Sequence, residues 1–193
     1  MPEERKNNSG AEVVKVQSAA SSNPMRGIFL EKLTLNTGIG NTEDKYEGAK
    51  EILSRVTGKT PTAATAKARK PEFGIQKHQI IGAFVTLRGK EAEAMLKRAL
   101  DAVDNKLKKS AIAGNSLSFG IEEYIYLNGM KYDPKIGMLG MNVNATFARK
   151  GMRVERRRRA KGKVAKSHKR IAPEDLAAYV SKAYGAKFEE EEA

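Results

Sequence analysis

The chain has 193 residues, 40% hydrophobic and 31% charged, and its 36 lysines and arginines outnumber 23 acids for a formal net charge of +13. With no cysteine and only two histidines, His78 and His168, it excludes disulfides, thiolate metal centres, iron–sulfur clusters, cysteine nucleophiles and a histidine-rich metal site. The acidic start Met1-Pro2-Glu3-Glu4 does not fit a secretory signal, and the apolar stretches are strand-sized, short of the roughly 20 residues that cross a bilayer, so a soluble chain is expected.

Residues 1–24 are Ser/Asn-rich and charge-balanced and predict a flexible tail, with the domain starting near Met25. Leu33, Leu35 and Ile39 alternate with Lys32, Thr34 and Asn36, the period-two pattern of a half-buried strand. Over residues 43–56 the period changes, because Ala49, Ile52, Leu53 and Val56 fall on one helical face. Asn41 or Thr42 can cap that helix, Glu43 and Asp44 suit its first turn, and Gly58 follows its end.

Residues 59–78 hold Pro61, Pro71 and several threonines without periodicity, and predict a long loop. Residues 62–72 within it fall outside the expected core. The next strand, residues 80–88, turns Ile81, Ala83, Val85 and Leu87 to one side and Phe84, Thr86 and Arg88 to the other. After Gly89 a helix is expected, with Met95, Leu96, Ala99, Leu100, Val103 and Leu107 as its apolar stripe. Two further strands follow. In one, Phe119, Ile121, Ile125 and Leu127 alternate with Glu122, Tyr124 and Tyr126; in the other, Met141, Val143, Ala145 and Phe147 alternate with Asn142, Asn144 and Thr146. Pro173 opens a last helix with Leu176, Ala177, Val180 and Ala183 inward, before the acidic residues 189–192.

This pattern predicts an α+β fold, a two-layer sandwich of a mostly antiparallel sheet with helices on one face and the other face exposed. Five segments are expected: a tail (1–24), an α+β core (25–148), a basic segment (149–170), a C-terminal helix (171–188) and an acidic tail (189–193). The exposed face would carry Thr34, Asn36, Thr86, Arg88, Asn142, Asn144 and Thr146. Such hydroxyls and amides suit the sugars and phosphates of RNA, although an ordinary solvated sheet face has the same pattern.

The charge excess is localised. Residues 59–78 carry five basic side chains against one acid, and residues 149–170 carry twelve against one, Glu155. Two concentrated segments are the sequence signature of phosphate binding. The run Arg156, Arg157, Arg158 and Arg159 can also be read as a targeting signal or an unstructured tail, but it lies inside the chain and leads into another helix-like segment.

Enzyme signatures fail one by one. Gly38-Ile39-Gly40 begins a dinucleotide fingerprint whose third glycine position is Glu43, and Gly58-Lys59-Thr60 lacks the glycine of a phosphate loop at Leu53. Glu122 and Glu123 would point to opposite sides of a strand, and no nucleophilic grouping surrounds either histidine. No catalytic residue, metal site or cofactor is expected. An RNA-acting enzyme, a modifying enzyme or nuclease with an unrecognised site, is kept as the alternative. A DNA-compacting protein fits the charge but not the uncharged sheet face.

The segments Leu35-Asn36-Thr37-Gly38, Thr57-Gly58-Lys59-Thr60-Pro61, Lys67-Ala68-Arg69, Phe73-Gly74-Ile75, Thr86-Leu87-Arg88-Gly89 and Phe119-Gly120-Ile121 occur in this order. Together they resemble the family of ribosomal protein five of the large subunit, which binds 5S ribosomal RNA. Tyr132-Asp133-Pro134 with Gly137 and Gly140, and the run ending Ser167-His168-Lys169-Arg170-Ile171, resemble its archaeal and eukaryotic branch. The resemblance spans roughly residues 25–185.

The resemblance implies a structural protein of the cytoplasmic ribosome that clamps 5S rRNA in the central protuberance, with 5S contacts carried over to Asn36, Lys59 and Thr86. Lys59 stands where the family usually has glutamine, which favours a phosphate contact there. Arg88 and the basic side chains Arg153, Arg156, Arg157, Arg158, Arg159, Lys161, Lys163, Lys166, His168, Lys169 and Arg170 are the further rRNA candidates. The loop at 59–78 is expected to reach P-site transfer RNA, through Lys67, Arg69, Lys70 and Lys77. Large-subunit rRNA, neighbouring ribosomal proteins and a small-subunit head protein across the subunit boundary complete the implied partners, with no membrane among them.

Overall fold

The computed structural model describes residues 23–40, 45–134 and 136–189. Residues 1–22 of the tail expected over residues 1–24, the capping residues Asn41 and Thr42, the acids Glu43 and Asp44, and residues 190–193 lie outside the described residues. The chain divides into two compact units. One takes the residues up to Phe29 together with Ala148–Ile171; the other takes Leu30–Phe147 together with the residues from Ala172 onward.

Among the described residues the strands are β1 (Ile28–Gly38), β2 (Thr62–Thr65), β3 (Ile80–Leu87), β4 (Lys106–Lys108), β5 (Ile112–Ala113), β6 (Ser116–Ile121), β7 (Met141–Arg149) and β8 (Lys187–Glu189). The helices are α1 (Lys45–Thr57), α2 (Lys90–Asp101), α3 (Arg153–Arg156), α4 (Lys166–Lys169) and α5 (Pro173–Tyr184). Six strands form one sheet in the order β2-β3-β1-β7-β6-β5. The β1–β3, β2–β3, β5–β6 and β6–β7 pairs are antiparallel. A small parallel pair joins β4 to β8.

Period-two alternation produces a two-sided sheet. Leu33, Leu35, Val85, Leu87, Leu117, Val143, Ala145 and Phe147 are buried, and helices cover that side. The spacing of Ala49, Ile52, Leu53 and Val56 gives α1 one buried stripe, which packs against β3. Ala92, Met95, Leu96, Ala99 and Leu100 do the same for α2. From α5, Leu176 and Val180 are buried, and the Tyr179 ring meets Phe147 edge-on at 5.9 Å. Each fully buried Leu, Ile, Val or Phe contributes about 1.5–3 kcal/mol relative to exposure. The expected α+β fold with its mostly antiparallel sheet is the one present.

Two helix ends are set by glycines. Gly58 takes φ +67 and donates its N–H to the Ser54 carbonyl at 2.8 Å, while Gly185 takes φ +78 and donates to the Ser181 carbonyl at 3.0 Å, a left-handed turn that costs glycine nothing.

Several expectations are corrected. The first strand begins at Ile28 rather than Leu33. Its buried positions include both Leu30 and Leu33, so the inward phase slips between them and no single alternation covers the whole strand. Residues 59–78 are not one loop, because β2 pairs with β3 and Ala66 is buried; residues 62–72 therefore include a core element. The helix expected to run to Leu107 ends at Asp101. Asp104 and Asn105 then take positive φ, and Leu107 is buried from β4 instead. The strand expected through Leu127 starts at Ser116 and stops at Ile121. A 3-10 turn over Tyr124–Tyr126 follows, and it buries Tyr124, whose hydroxyl accepts the Asp133 N–H at 3.0 Å. Since Glu122 and Glu123 lie past that strand, strand alternation does not decide their directions. Ala183 is exposed rather than inward.

Candidate nucleic-acid interface

The polar face of the sheet is built by register. Thr34 lies opposite Thr86 and Asn36 opposite Phe84 in the β1–β3 pair. In the β6–β7 pair, Ser118 lies opposite Asn144, Gly120 opposite Asn142 and Ser116 opposite Thr146. At the centre, Asn144 Nδ2 donates to Asn36 Oδ1 at 2.9 Å. That bond fixes both amides and leaves the Asn36 Nδ2 donors directed away from it, since each amide offers two donors and a carbonyl oxygen. Asn36, Ser118, Phe119, Gly120, Asn142 and Asn144 line an open depression of about 330 Å³. Gly120 puts no side chain there, and the lining is uncharged, so it can offer both donors and acceptors to a ribose or a base edge.

Arg88 stands just past the end of β3. Its Nη1 lies 3.5 Å from the Glu31 carbonyl oxygen and 4.0 Å from the Glu31 carboxylate, so the guanidinium is held at the strand end but largely exposed. Lys59, between α1 and β2, is ion-paired with Glu91 in the first turn of α2. A phosphate at Lys59 would have to compete with that carboxylate. The strand register thus brings Asn36 and Thr86 onto one face, whereas Lys59 is joined to the helical layer.

Residues 66–79 fold back as an ordered hairpin. Ala66 N–H donates to the Gln79 carbonyl at 2.8 Å and His78 N–H to the Ala66 carbonyl at 2.9 Å. Further out, Lys70 and Ile75 exchange hydrogen bonds of 2.9 and 3.1 Å. Pro71–Phe73 makes a 3-10 turn, which Gly74 closes in the left-handed conformation. Lys67, Arg69, Lys70 and Lys77 are all exposed on it.

The segment of residues 148–171 is fastened around its one acid, Glu155. Lys169 Nζ lies 2.6 Å from Glu155 Oε1, and His168 Nε2 donates to the Lys150 carbonyl at 3.0 Å. Gly162 N–H reaches the Val154 carbonyl at 3.2 Å, and Arg157 Nε donates to the Ala160 carbonyl at 2.7 Å. Fastened in this way, the segment presents Arg153, Arg156, Arg157, Arg158, Arg159, Lys161, Lys163, Lys166 and Arg170 to solvent. His168 and Lys169 are half-buried and serve as fasteners within it.

The helical side has a different chemistry. A cleft of about 410 Å³ is lined by Glu93, Lys97, Tyr179 and Tyr184 among others. Burial first, then the neighbouring Tyr179 and Glu93, push the Tyr184 phenol up to about 12. With Glu93 and Lys97 of opposite charge beside two protonated phenols, the cleft carries no excess of positive charge.

Sequence reasoning passed over Ser116, Ser118 and Gly120, although their alternation with Leu117, Phe119 and Ile121 was available; attention to the apolar run after Gly120 extended the strand the wrong way. It also passed over Phe73 as a surface group. Among the described residues, no three His, Asp or Glu side chains gather as a metal site would require.

Two family models match this chain. Residues 23–76 match that of "Ribosomal protein L5", and residues 80–173 match that of the same ribosomal family's C-terminus. The chain is 43% identical over 155 residues to the large ribosomal subunit protein uL5 of Sulfurisphaera tokodaii, a match covering 79% of this chain and 87% of that protein. It is 42% identical to uL5 of Nanoarchaeum equitans, over 85% of this chain and 97% of that one, and 41% identical to uL5 of Aeropyrum pernix, over 86% of each. Relatives that are ribosomal proteins over nearly their whole length set aside the RNA-acting enzyme. Because the matched segments run through both compact units, from residue 23 to residue 173, the chain belongs to the ribosomal protein L5 family.

Proposed function

We propose that this structural constituent of the large ribosomal subunit binds 5S rRNA in the central protuberance and reaches P-site transfer RNA through the hairpin of residues 66–79. The observation that carries the reading is the sheet face centred on the hydrogen-bonded Asn36 and Asn144, which offers amides and hydroxyls without charge. A surface that only attracted polyanions would need no such ordered neutral centre, whereas one that reads ribose and base edges does. In this reading Asn36 and Thr86 meet 5S rRNA directly. Lys59, once it exchanges Glu91 for a phosphate, and Arg88 flank them. Arg153, Arg156, Arg157, Arg158, Arg159, Lys161, Lys163, Lys166 and Arg170 supply phosphate contacts to rRNA, on a segment that His168 and Lys169 hold together and adjoin. Lys67, Arg69, Lys70 and Lys77 carry the hairpin to transfer RNA. Neighbouring ribosomal proteins, including one of the small-subunit head, are the protein partners.

The test is a filter-binding titration at moderate salt, with 5S rRNA against duplex DNA of equal length. Counterion release alone gives similar affinities, so the expected result is a preference for 5S rRNA of at least about ten-fold. Equal affinity overturns the reading.

A further inference from the structure

Phe73 is the most exposed large apolar side chain among the described residues, 69% accessible, and it stands in the turn of the hairpin of residues 66–79. An apolar ring left in water forgoes the stabilisation of burial. The backbone that carries it is braced. Pro71 precedes it in the same 3-10 turn, Gly74 closes that turn at φ +66, and the paired Lys70–Ile75 hydrogen bonds brace it from both sides. The hairpin that carries the ring also exposes the cations Lys67, Arg69, Lys70 and Lys77, with Glu72 as its only acid.

An exposed aromatic ring on a braced turn of a cationic hairpin suits nucleotides, the ring stacking on a base while the cationic groups take the backbone. An apolar protein partner would gain from the ring but would leave four cations without counter-charges, which is why the partner is a nucleic acid. A fully paired duplex buries its base faces, so the partner group must be an unstacked or terminal base face. We propose that Phe73 stacks on an exposed nucleobase of the P-site transfer RNA. The proposal rests on the reading that this hairpin reaches that RNA, and it adds a stacking contact to the charge contacts.

The chain contains no tryptophan, so Phe73→Trp introduces a single fluorophore at the tip. Large subunits reconstituted with the full-length variant are followed by the difference in tryptophan emission from subunits carrying the unaltered chain, first on assembly with rRNA and then on addition of deacylated transfer RNA. The expected result is quenching at the second step. In parallel, release of transfer RNA from the P site is timed for Phe73→Ala, Phe73→Leu and a Lys67/Lys70/Lys77→Gln variant. Loss of a stacked ring should speed release on the order of ten-fold for the alanine and leucine variants, while Phe73→Trp releases as slowly as the unaltered protein. Emission unchanged on adding transfer RNA, including the case where it is quenched already on assembly, overturns the proposal. If the lysine variant also releases at the unaltered rate, the hairpin does not reach transfer RNA and the broader reading fails as well. If the lysine variant releases faster while Phe73→Ala does not, only the stacking fails.

Discussion

Gly82 lies opposite Gly38 in the β1–β3 register, and a Cβ added to it would come within 2.5 Å of the Thr37 carbonyl oxygen. That obstacle is backbone in a central strand, so it cannot swing aside as the end of a side chain could. The expected outcome for Gly82→Ala is a destabilisation of about 1–3 kcal/mol, read as a melting temperature several degrees lower by circular dichroism; an unchanged melt would mean the strands do not approach so closely. At this scale the sequence was informative about direction and silent about neighbours. Alternation alone put Asn36 on the polar face, because strand geometry fixes every second side chain. Its hydrogen-bond partner Asn144, 108 positions away, could not be found that way, since nothing local reveals that β1 lies beside β7.

Helices and long central strands were legible as elements because burial writes its period into them, as the stripe of Ala49, Ile52, Leu53 and Val56 shows. Short elements held by distant partners were not. β2 has the sequence Thr-Ala-Ala-Thr, with no large apolar residue, and owes its existence to the ladder with β3. β4 and β8 are three residues each and exist only as a pair. This distinction yields a prediction from two deletions of equal size. Replacing residues 67–77 by a short glycine-containing turn should leave the melting temperature within a few degrees, because Ala66 and His78 already face each other across the hairpin base. Deleting residues 62–72 should lower it by far more, since β2 and the buried Ala66 go with it. Equal melting temperatures for the two would show that β2 contributes nothing to the fold.

For the whole molecule, the two kinds of surface should separate in their response to salt. If the four arginines at residues 156–159 act through phosphate charge, as proposed, changing them to glutamine should reduce the slope of log affinity for 5S rRNA against log salt by about 3–4, at 0.7–0.9 per phosphate contact. Asn36→Ala should weaken binding at every salt concentration while leaving that slope where it was. Parallel loss of slope in both variants would assign the sheet face to simple charge attraction. The chain order of the larger unit also has a consequence in time. All strands that build the polar face lie before residue 150, whereas Tyr179, which covers Phe147, and β8, which pairs with β4, come after it. At a synthesis rate of about 5–20 residues per second, the interval from β7 to β8 is roughly 2–8 s. During that interval the nascent chain already carries its polar sheet face on a core still partly open to water, so the rate of translation sets how long that unfinished core stays exposed.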